Sequence, residues 1–177
     1  MNKYKKLSEE VSCEVNEYSS IGQKDIDYLV QEANNLSSKK YRLCMHEINE
    51  DPIHEMFIIH PCNMYVRPHK HNNKSESMIV ISGEADYIIF NENGCIEDII
   101  RLASYNEKKK FYVKIRKSLY HTLLIYSEYF VFLEITKGPF IRNDTIFPNW
   151  APEQSNNLQV KHFMKELSLK VQKYNNK

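Results

Sequence analysis

Between residues 53 and 136 the chain consists largely of short segments rich in isoleucine, valine, tyrosine and phenylalanine. β-Branched and aromatic residues favour extended structure, and runs of about four to eight such residues are typical of strands. The candidate strands are 55–60, 64–70, 77–82, 85–91, 95–102, 111–115, 121–127 and 129–136. The sequence Asn91-Glu92-Asn93-Gly94 is typical of a hairpin turn between two of them. Strands spaced this closely predict an antiparallel sandwich or a small barrel.

The segments on either side of these strands follow a helical period instead. Apolar residues recur every three or four positions, at Ile26, Leu29, Val30, Ala33 and Leu36 before the strands and at Val160, Phe163, Met164, Leu167 and Val171 after them. This spacing predicts a helix over about 21–37 and an amphipathic helix from 155 onward. We therefore divide the chain into an N-terminal extension (1–50), a barrel (51–153) and a C-terminal helical segment (154–177).

The composition excludes some classes of partner. The chain has 177 residues and a net charge of +1. A charge this small does not favour binding to a nucleic acid or a membrane. No apolar run approaches the roughly 20 residues of a membrane span. The basic residues 1–6 lead into Leu7-Ser8-Glu9-Glu10 and not into an apolar segment, unlike a signal peptide. The four cysteines are widely spaced, as expected of reduced thiols, and we predict a cytoplasmic protein.

Two histidines, His69 and His71, lie one residue apart in a candidate strand, and Glu76 follows after room for a tight loop. Because strand side chains alternate between faces, both imidazoles point the same way. A return strand can then bring the carboxylate to the same point, where imidazole and carboxylate ligands bind a metal at about 2.0–2.2 Å. The pattern predicts one divalent metal ion held by these three residues, with zinc, iron, manganese and nickel all open.

A further ligand would have to come from a distant strand. His121 is the best candidate, because it opens the apolar strand Thr122-Leu123-Leu124-Ile125-Tyr126. The other candidates are His46, His54, His60 and His162. Each of these histidines lacks a second potential ligand at strand spacing, so we expect them to cap elements or face solvent.

The same alternation predicts neighbours for the metal. If His69 and His71 point into the barrel, Arg67 and Tyr65 on the same strand point there too, where a cation and a phenol suit an anionic or polyhydroxylated ligand. Lys137, at the end of a later strand, is a third candidate substrate-binding residue. The alternatives are that Arg67 pairs with a core carboxylate such as Glu134, that Tyr65 only packs, and that Lys137 lies in a surface pair.

The pattern His69-x-His71-x4-Glu76-x6-Gly83 resembles the first motif of the cupin superfamily, and His121 falls where the histidine of the second motif belongs. Residues 65–71, with Lys74, resemble more specifically the WbuC family of cupin-fold metalloproteins. The strings Lys137-Gly138-Pro139-Phe140 and Trp150-Ala151-Pro152-Glu153, and Asp51-Pro52 upstream, share this resemblance, which covers about residues 40–153.

The resemblance implies a mainly β fold: one cupin barrel, a double-stranded β-helix or jelly roll, here with a helix at each end. It also implies a metal at the centre of the barrel and a setting in bacterial surface polysaccharide synthesis, since the family is typically encoded among O-antigen or capsule genes. Two positions depart from the motifs. Asn63 replaces a usual glycine, and Arg116-Lys117-Ser118 replaces the usual P-x-G turn before His121. Asparagine tolerates a left-handed backbone well, whereas the altered turn has lost both of its special residues.

Three functions follow from this combination. The first is a metal-dependent enzyme of isomerase or epimerase type that acts on a sugar or nucleotide-sugar and uses the metal as a Lewis acid. The second is a non-haem metal dioxygenase, since three histidines and one glutamate also serve oxygen chemistry. The third is a non-catalytic sugar-binding or regulatory module. The sequence identifies neither the catalytic base nor the substrate, and exposed strand edges, together with the dimerisation common among cupins, suggest a homodimer.

Overall fold

The structure is a computed structural model that describes residues 4–175. Within that range the chain forms twelve strands and two α-helices. The helices are α1 (Gln23–Asn34) and α2 (Asn157–Asn175). The strands are β1 (Lys5–Lys6), β2 (Val11–Cys13), β3 (Tyr41–Cys44), β4 (Ile53–Pro61), β5 (Lys70–His71), β6 (Glu76–Ser82), β7 (Glu84–Phe90), β8 (Ile96–Ala103), β9 (Tyr112–Ile115), β10 (Tyr120–Ile125), β11 (Tyr129–Lys137) and β12 (Thr145–Ile146).

Seven of these strands form the larger sheet, in the order β1-β2-β3-β4-β11-β6-β9. All of its neighbours are antiparallel except β2 and β3. The first three strands belong to the N-terminal extension, so this segment adds an edge to the sheet and does not form a separate layer. The long strands β4, β6 and β11 make up the middle of the sheet and carry its inward-facing side chains.

The smaller layer faces the larger sheet. Strands β10, β7 and β8 are antiparallel neighbours, and β12 pairs with β5. An isolated bridge between His69 and His121 joins these two groups, so that the layer runs β12-β5-β10-β7-β8. The described strands therefore pack as a jelly-roll sandwich of two layers and do not close into a continuously hydrogen-bonded barrel.

The core lies between the layers, and each helix covers one outer face. Inward-facing apolar residues of both layers form the central cluster, which includes Phe130, Phe132, Tyr87 and Ile125. Helix α1 packs on the outside of the larger sheet through residues such as Leu29, and helix α2 packs on the smaller layer through residues such as Leu167 and Val171. Strands with both faces covered explain why apolar residues run consecutively in β6. No helix of the described residues is long and apolar enough to cross a membrane.

Most predicted elements are present with small changes in their ends. Helix α1 is shorter than the predicted 21–37, and α2 begins two residues later than predicted. The largest difference lies in the predicted strand 64–70, of which only Lys70 belongs to a regular strand. The short strands β1, β2, β3 and β12 were not predicted, because two to four residues are too few to show an alternating pattern. The last two residues of the predicted C-terminal segment, 176–177, lie outside the described residues.

Gly83 occupies the tight connection between β6 and β7, and we expect its replacement by alanine to destabilise the fold. Its φ is +88°, and an added Cβ would overlap the carbonyl oxygen of Tyr129 and the hydroxyl of Ser127. Backbone strain and overpacking together should lower the free energy of unfolding by about 2–4 kcal/mol. Urea unfolding measures the loss. Gly22→Ala is the control, because an added Cβ there meets nothing closer than 4.0 Å; equal losses in the two variants would contradict this account.

Candidate metal centre

Three histidines meet at the inner surface of the smaller layer. His69 and His121 lie directly opposite each other and exchange two backbone hydrogen bonds, of 2.9 and 3.1 Å. His71 is two residues further along, so alternation places its side chain beside that of His69. One ring nitrogen from each histidine lies within 4.8 Å of the other two. Backbone pairing, together with strand alternation, therefore brings together the three predicted imidazoles.

The opposite side of each imidazole ring is held by a hydrogen bond. His69 Nδ1 donates to the carbonyl oxygen of Arg67 at 2.8 Å, and His121 Nδ1 donates to that of Leu119 at 2.9 Å. His71 Nδ1 shares a 3.1 Å hydrogen bond with the hydroxyl of Thr145. Outer-shell bonds of this kind fix ring orientation and tautomer in metal sites. They leave the Nε2 atoms as the ligand atoms of the cluster.

Glu76 reaches the same cluster from the opposite sheet. It is the first residue of β6, and its two carboxylate oxygens contact His121 Nε2 at 2.9 Å and His71 Nε2 at 3.2 Å. Tyr87 donates its hydroxyl to Glu76 Oε1 at 2.9 Å and stacks on the ring of His121. The four predicted ligands thus come from both layers of the sandwich and face one point.

Charges within the cluster shift its titration. Burial alone would raise the pKa of Glu76, but the charge and hydrogen bonds of His121 and His71 outweigh it and hold that pKa well below its ordinary value. Burial opposes the charged form of His121, yet Glu76 raises its pKa above the usual value. Burial, and then the charge of His121, lower the pKa of His69 to about 3. Burial and the charge of Glu76 raise the pKa of Tyr87, which keeps its proton for the hydrogen bond.

This donor set fits a divalent metal ion. Imidazoles are metal ligands in their neutral form, and one carboxylate beside three of them is a combination that suits zinc, iron, manganese or nickel. The ring nitrogens are close enough for one ion to contact all three after small side-chain movements. A bound ion would take the place of the proton shared by His121 and Glu76, because metal ligands must be deprotonated.

All four residues line a cavity of about 670 Å³ between the two layers. This volume lies within the range of about 300–1,000 Å³ that is typical of small-molecule sites. The wall combines apolar residues such as Met56 and Met78 with a few polar groups, and exposed residues 47–50 lie at its mouth. The cluster of His69, His71, His121 and Glu76 is therefore accessible to a ligand of sugar size.

The predicted substrate-binding residues lie outside this cavity. Tyr65 donates its hydroxyl to the carbonyl oxygen of Pro152 at 2.8 Å and packs against Phe163 of helix α2. Arg67 contacts the carbonyl oxygen of Ala151 and lines a separate recess, and Lys137 is exposed at the end of β11. Residues 64–69 are not in a regular strand, so the alternation of β5 does not extend back to them. Their role in substrate binding stays a prediction. Among the described residues Arg67 contacts Ala151, and the alternative pairing with Glu134 is not observed.

Several site residues were not predicted from the sequence. Tyr87 and Thr145 orient the ligands, but no local pattern marks either residue. Tyr87 lies on β7, directly after the motif, whereas Thr145 lies on the distant strand β12. His54 and His60 were expected to cap elements or face solvent, but both line the cavity. Strand alternation could have found them, because they share the inward face of β4 with Met56 and Ile58. His162 is exposed on α2, as expected.

Comparison with protein families gives one match. Residues 21–102 match a family described as a domain of unknown function, DUF6016, which covers the first histidine motif but not His121. No curated protein matches the sequence. The WbuC family is not among these findings, so that resemblance stays a prediction.

Comparison with solved structures finds, among others, an assembling protein, a decarboxylase and a lyase. The capsular polysaccharide assembling protein CapF from Staphylococcus aureus is 22% identical, with a TM-score of 0.46 over 56% of this chain and 27% of its own. A variant of oxalate decarboxylase OxdC from Bacillus subtilis is 18% identical, with a TM-score of 0.48 over 61% of this chain and 27% of its own. The DMSP lyase DddQ from Ruegeria pomeroyi is 15% identical, with a TM-score of 0.48 over 65% and 54%.

In each case this chain matches less than two thirds of the neighbour's length. The architecture itself is clear from the strand order: two facing layers, with a His-x-His strand bridged to a third histidine and a glutamate arriving from the opposite sheet. The predicted fold class is confirmed, since the described residues form a mainly β jelly roll with two helices.

Proposed function

We propose that the chain is a metal-dependent enzyme that acts on a sugar or nucleotide-sugar, with an isomerase or epimerase type of reaction. The observation that carries this proposal is the position of the His69, His71, His121 and Glu76 cluster on the wall of a sugar-sized cavity. These four residues would hold one divalent ion. When bound, such an ion acts as a Lewis acid toward hydroxyl or carbonyl oxygens of the ligand.

Isomerisation and epimerisation also require a group that removes and returns a proton. Glu134 lines the same cavity, and its side chain has no hydrogen bond or ion pair with another described residue. Burial, and then the charge of Glu76, raise the pKa of Glu134 to about 7. A carboxyl group with this pKa can exist in either protonation state near neutral pH. We therefore assign proton transfer to Glu134.

The setting in surface polysaccharide synthesis, the cytoplasmic location and the homodimer belong to this proposal as well. The first rests on the resemblance of residues 65–71 and 150–153 to the WbuC family. The second rests on composition, and the third on the outer edge of strand β9, which among the described strands pairs only with β6.

Protein purified without a metal-affinity tag should contain about one divalent ion per chain, because three histidines lie close together and Glu76 contacts two of them. Elemental analysis measures this, and mass spectrometry of the same sample identifies any sugar that co-purifies. Glu134→Gln should retain the metal and bind that sugar but turn it over at least about 100-fold more slowly, as expected for loss of an acid–base group. Absence of metal would refute the proposal, and oxygen consumption would favour a dioxygenase.

A further inference from the structure

A second recess adjoins the histidine cluster. It has a volume of about 390 Å³ and is lined by Lys40, Arg42, His60, Arg67, His69 and Phe147, among others. We call it the basic cleft. Arg42, His60 and His69 line both the basic cleft and the main cavity. Because the two spaces share these residues, they are adjacent, within reach of the two ends of one extended ligand.

The basic cleft carries uncompensated positive charge. Its one carboxylate, Glu10, is paired with Lys40 at 2.9 Å. Neither Arg42 nor Arg67 forms an ion pair with a described residue, which leaves two guanidinium charges around the cleft. The whole chain has a net charge of only +1, so this concentration is local. Two arginines that line one cleft favour an anion that can accept several hydrogen bonds.

Two buried nitrogen atoms of the cleft have no hydrogen-bond partner among the described residues: Nδ1 of His60 and Nε of Arg67. Unsatisfied buried polar groups are rare in folded proteins and are often completed by a ligand. Arg67 is held in place by the carbonyl oxygen of Ala151 and by the ring of Phe147, 4.7 Å from its guanidinium carbon. Burial, and then Arg42 and Lys40, lower the pKa of His60 to about 3, so it offers a neutral N–H donor.

We propose that the basic cleft binds the phosphoryl group of the ligand whose sugar oxygens reach the histidine cluster. This inference rests on the proposed function, since it takes the sugar-binding role of the main cavity as given. Two guanidinium groups and one imidazole line the cleft as potential donors, which match the several acceptor oxygens of a phosphate or diphosphate. The ligand is then a sugar phosphate or a nucleotide-sugar and not a neutral sugar.

Calorimetric titration with inorganic phosphate at low ionic strength tests the cleft directly. Arg42→Gln and Arg67→Gln should each weaken phosphate binding by at least about tenfold, because each removes a charge-assisted hydrogen bond. Arg116→Gln is the matched control and should bind as the unchanged chain does, since Arg116 is exposed and lines neither space. Arg42 makes no side-chain hydrogen bond with a described residue, so its variant tests the cleft without disturbing the fold.

Unchanged phosphate binding in the Arg42 variant would overturn the inference. Acetate bound as tightly as phosphate would also overturn it, because the cleft would then be a carboxylate site. Both anions are titrated into protein as purified and into chelator-treated protein, so that direct contact with a metal is recognised. Metal content measured on the same samples separates the two proposals. Metal without phosphate binding refutes only the cleft, and phosphate binding without metal refutes only the metal-dependent function.

Discussion

Replacing His121 with alanine should weaken divalent metal binding by more than about 100-fold. The loss of an outer hydrogen-bond partner of a metal ligand already costs about 10–100-fold in affinity, and a lost ligand costs more. His121 is also the residue that shares a proton with Glu76, so its removal leaves that buried carboxylate with His71 and Tyr87 as its remaining partners. Titration of the metal-free protein with zinc or cobalt, followed by elemental analysis after dialysis, measures the change.

His162→Ala is the matched control, because His162 lies exposed on helix α2 and pairs only with Glu166. It should bind metal as the unchanged chain does. Far-ultraviolet circular dichroism and the unfolding midpoint of the metal-free variants show whether the fold is retained. If His121→Ala bound metal with the original affinity in a folded protein, the site would consist of His69, His71 and Glu76 alone.

Phe130→Ala should lower the free energy of unfolding by about 3–5 kcal/mol, as expected for removal of a fully buried aromatic ring. Phe130 is 0% exposed and packs against Phe132 in the cluster between the two layers. The central strand β11 contacts both β4 and β6, so a cavity there weakens the middle of the larger sheet. Chemical denaturation monitored by circular dichroism measures the loss.

Phe111→Ala makes the same substitution at a ring that is 39% exposed and should cost less than about 1 kcal/mol. Because both variants remove the same aromatic ring, the difference between their losses reports the effect of burial. Similar losses at the two positions would mean that the cluster between the layers does not dominate stability.

Most of the candidate metal ligands could be predicted, because their sequence pattern is local. Two histidines at strand spacing and a carboxylate after a short loop lie close together in the sequence. The structure brings all three together, although Glu76 belongs to the opposite sheet and not to a hairpin with the histidines. Asn63 was expected to tolerate a left-handed backbone, and its φ of +58° confirms this. The missing P-x-G turn suggested a weakness at His121 that the structure does not show. Residues 116–118 do not adopt positive φ, and His121 is positioned by its backbone pairing with His69.

The rest of the site depends on long-range contacts that no local pattern reveals. Alternation was extended too far along the first motif, because Tyr65 and Arg67 lie before the regular part of the strand. The basic cleft combines Lys40 and Arg42, at the start of an unpredicted strand, with residues of the histidine segment. Strand β3 has only four residues, and its position beside β4 is fixed by tertiary pairing. Residues that meet only through sheet order could not be paired from the sequence.

The backbone pairing of His69 with His121 determines when the site forms during folding. The two residues are far apart in sequence, and the strands β6 to β9 lie between them. Closing a loop of this length is entropically costly until the intervening strands have paired. We therefore expect the histidines to meet late, after the sandwich has assembled. An ion held by them would bind a chain that has already folded, and it would slow unfolding while leaving the rate of folding almost unchanged.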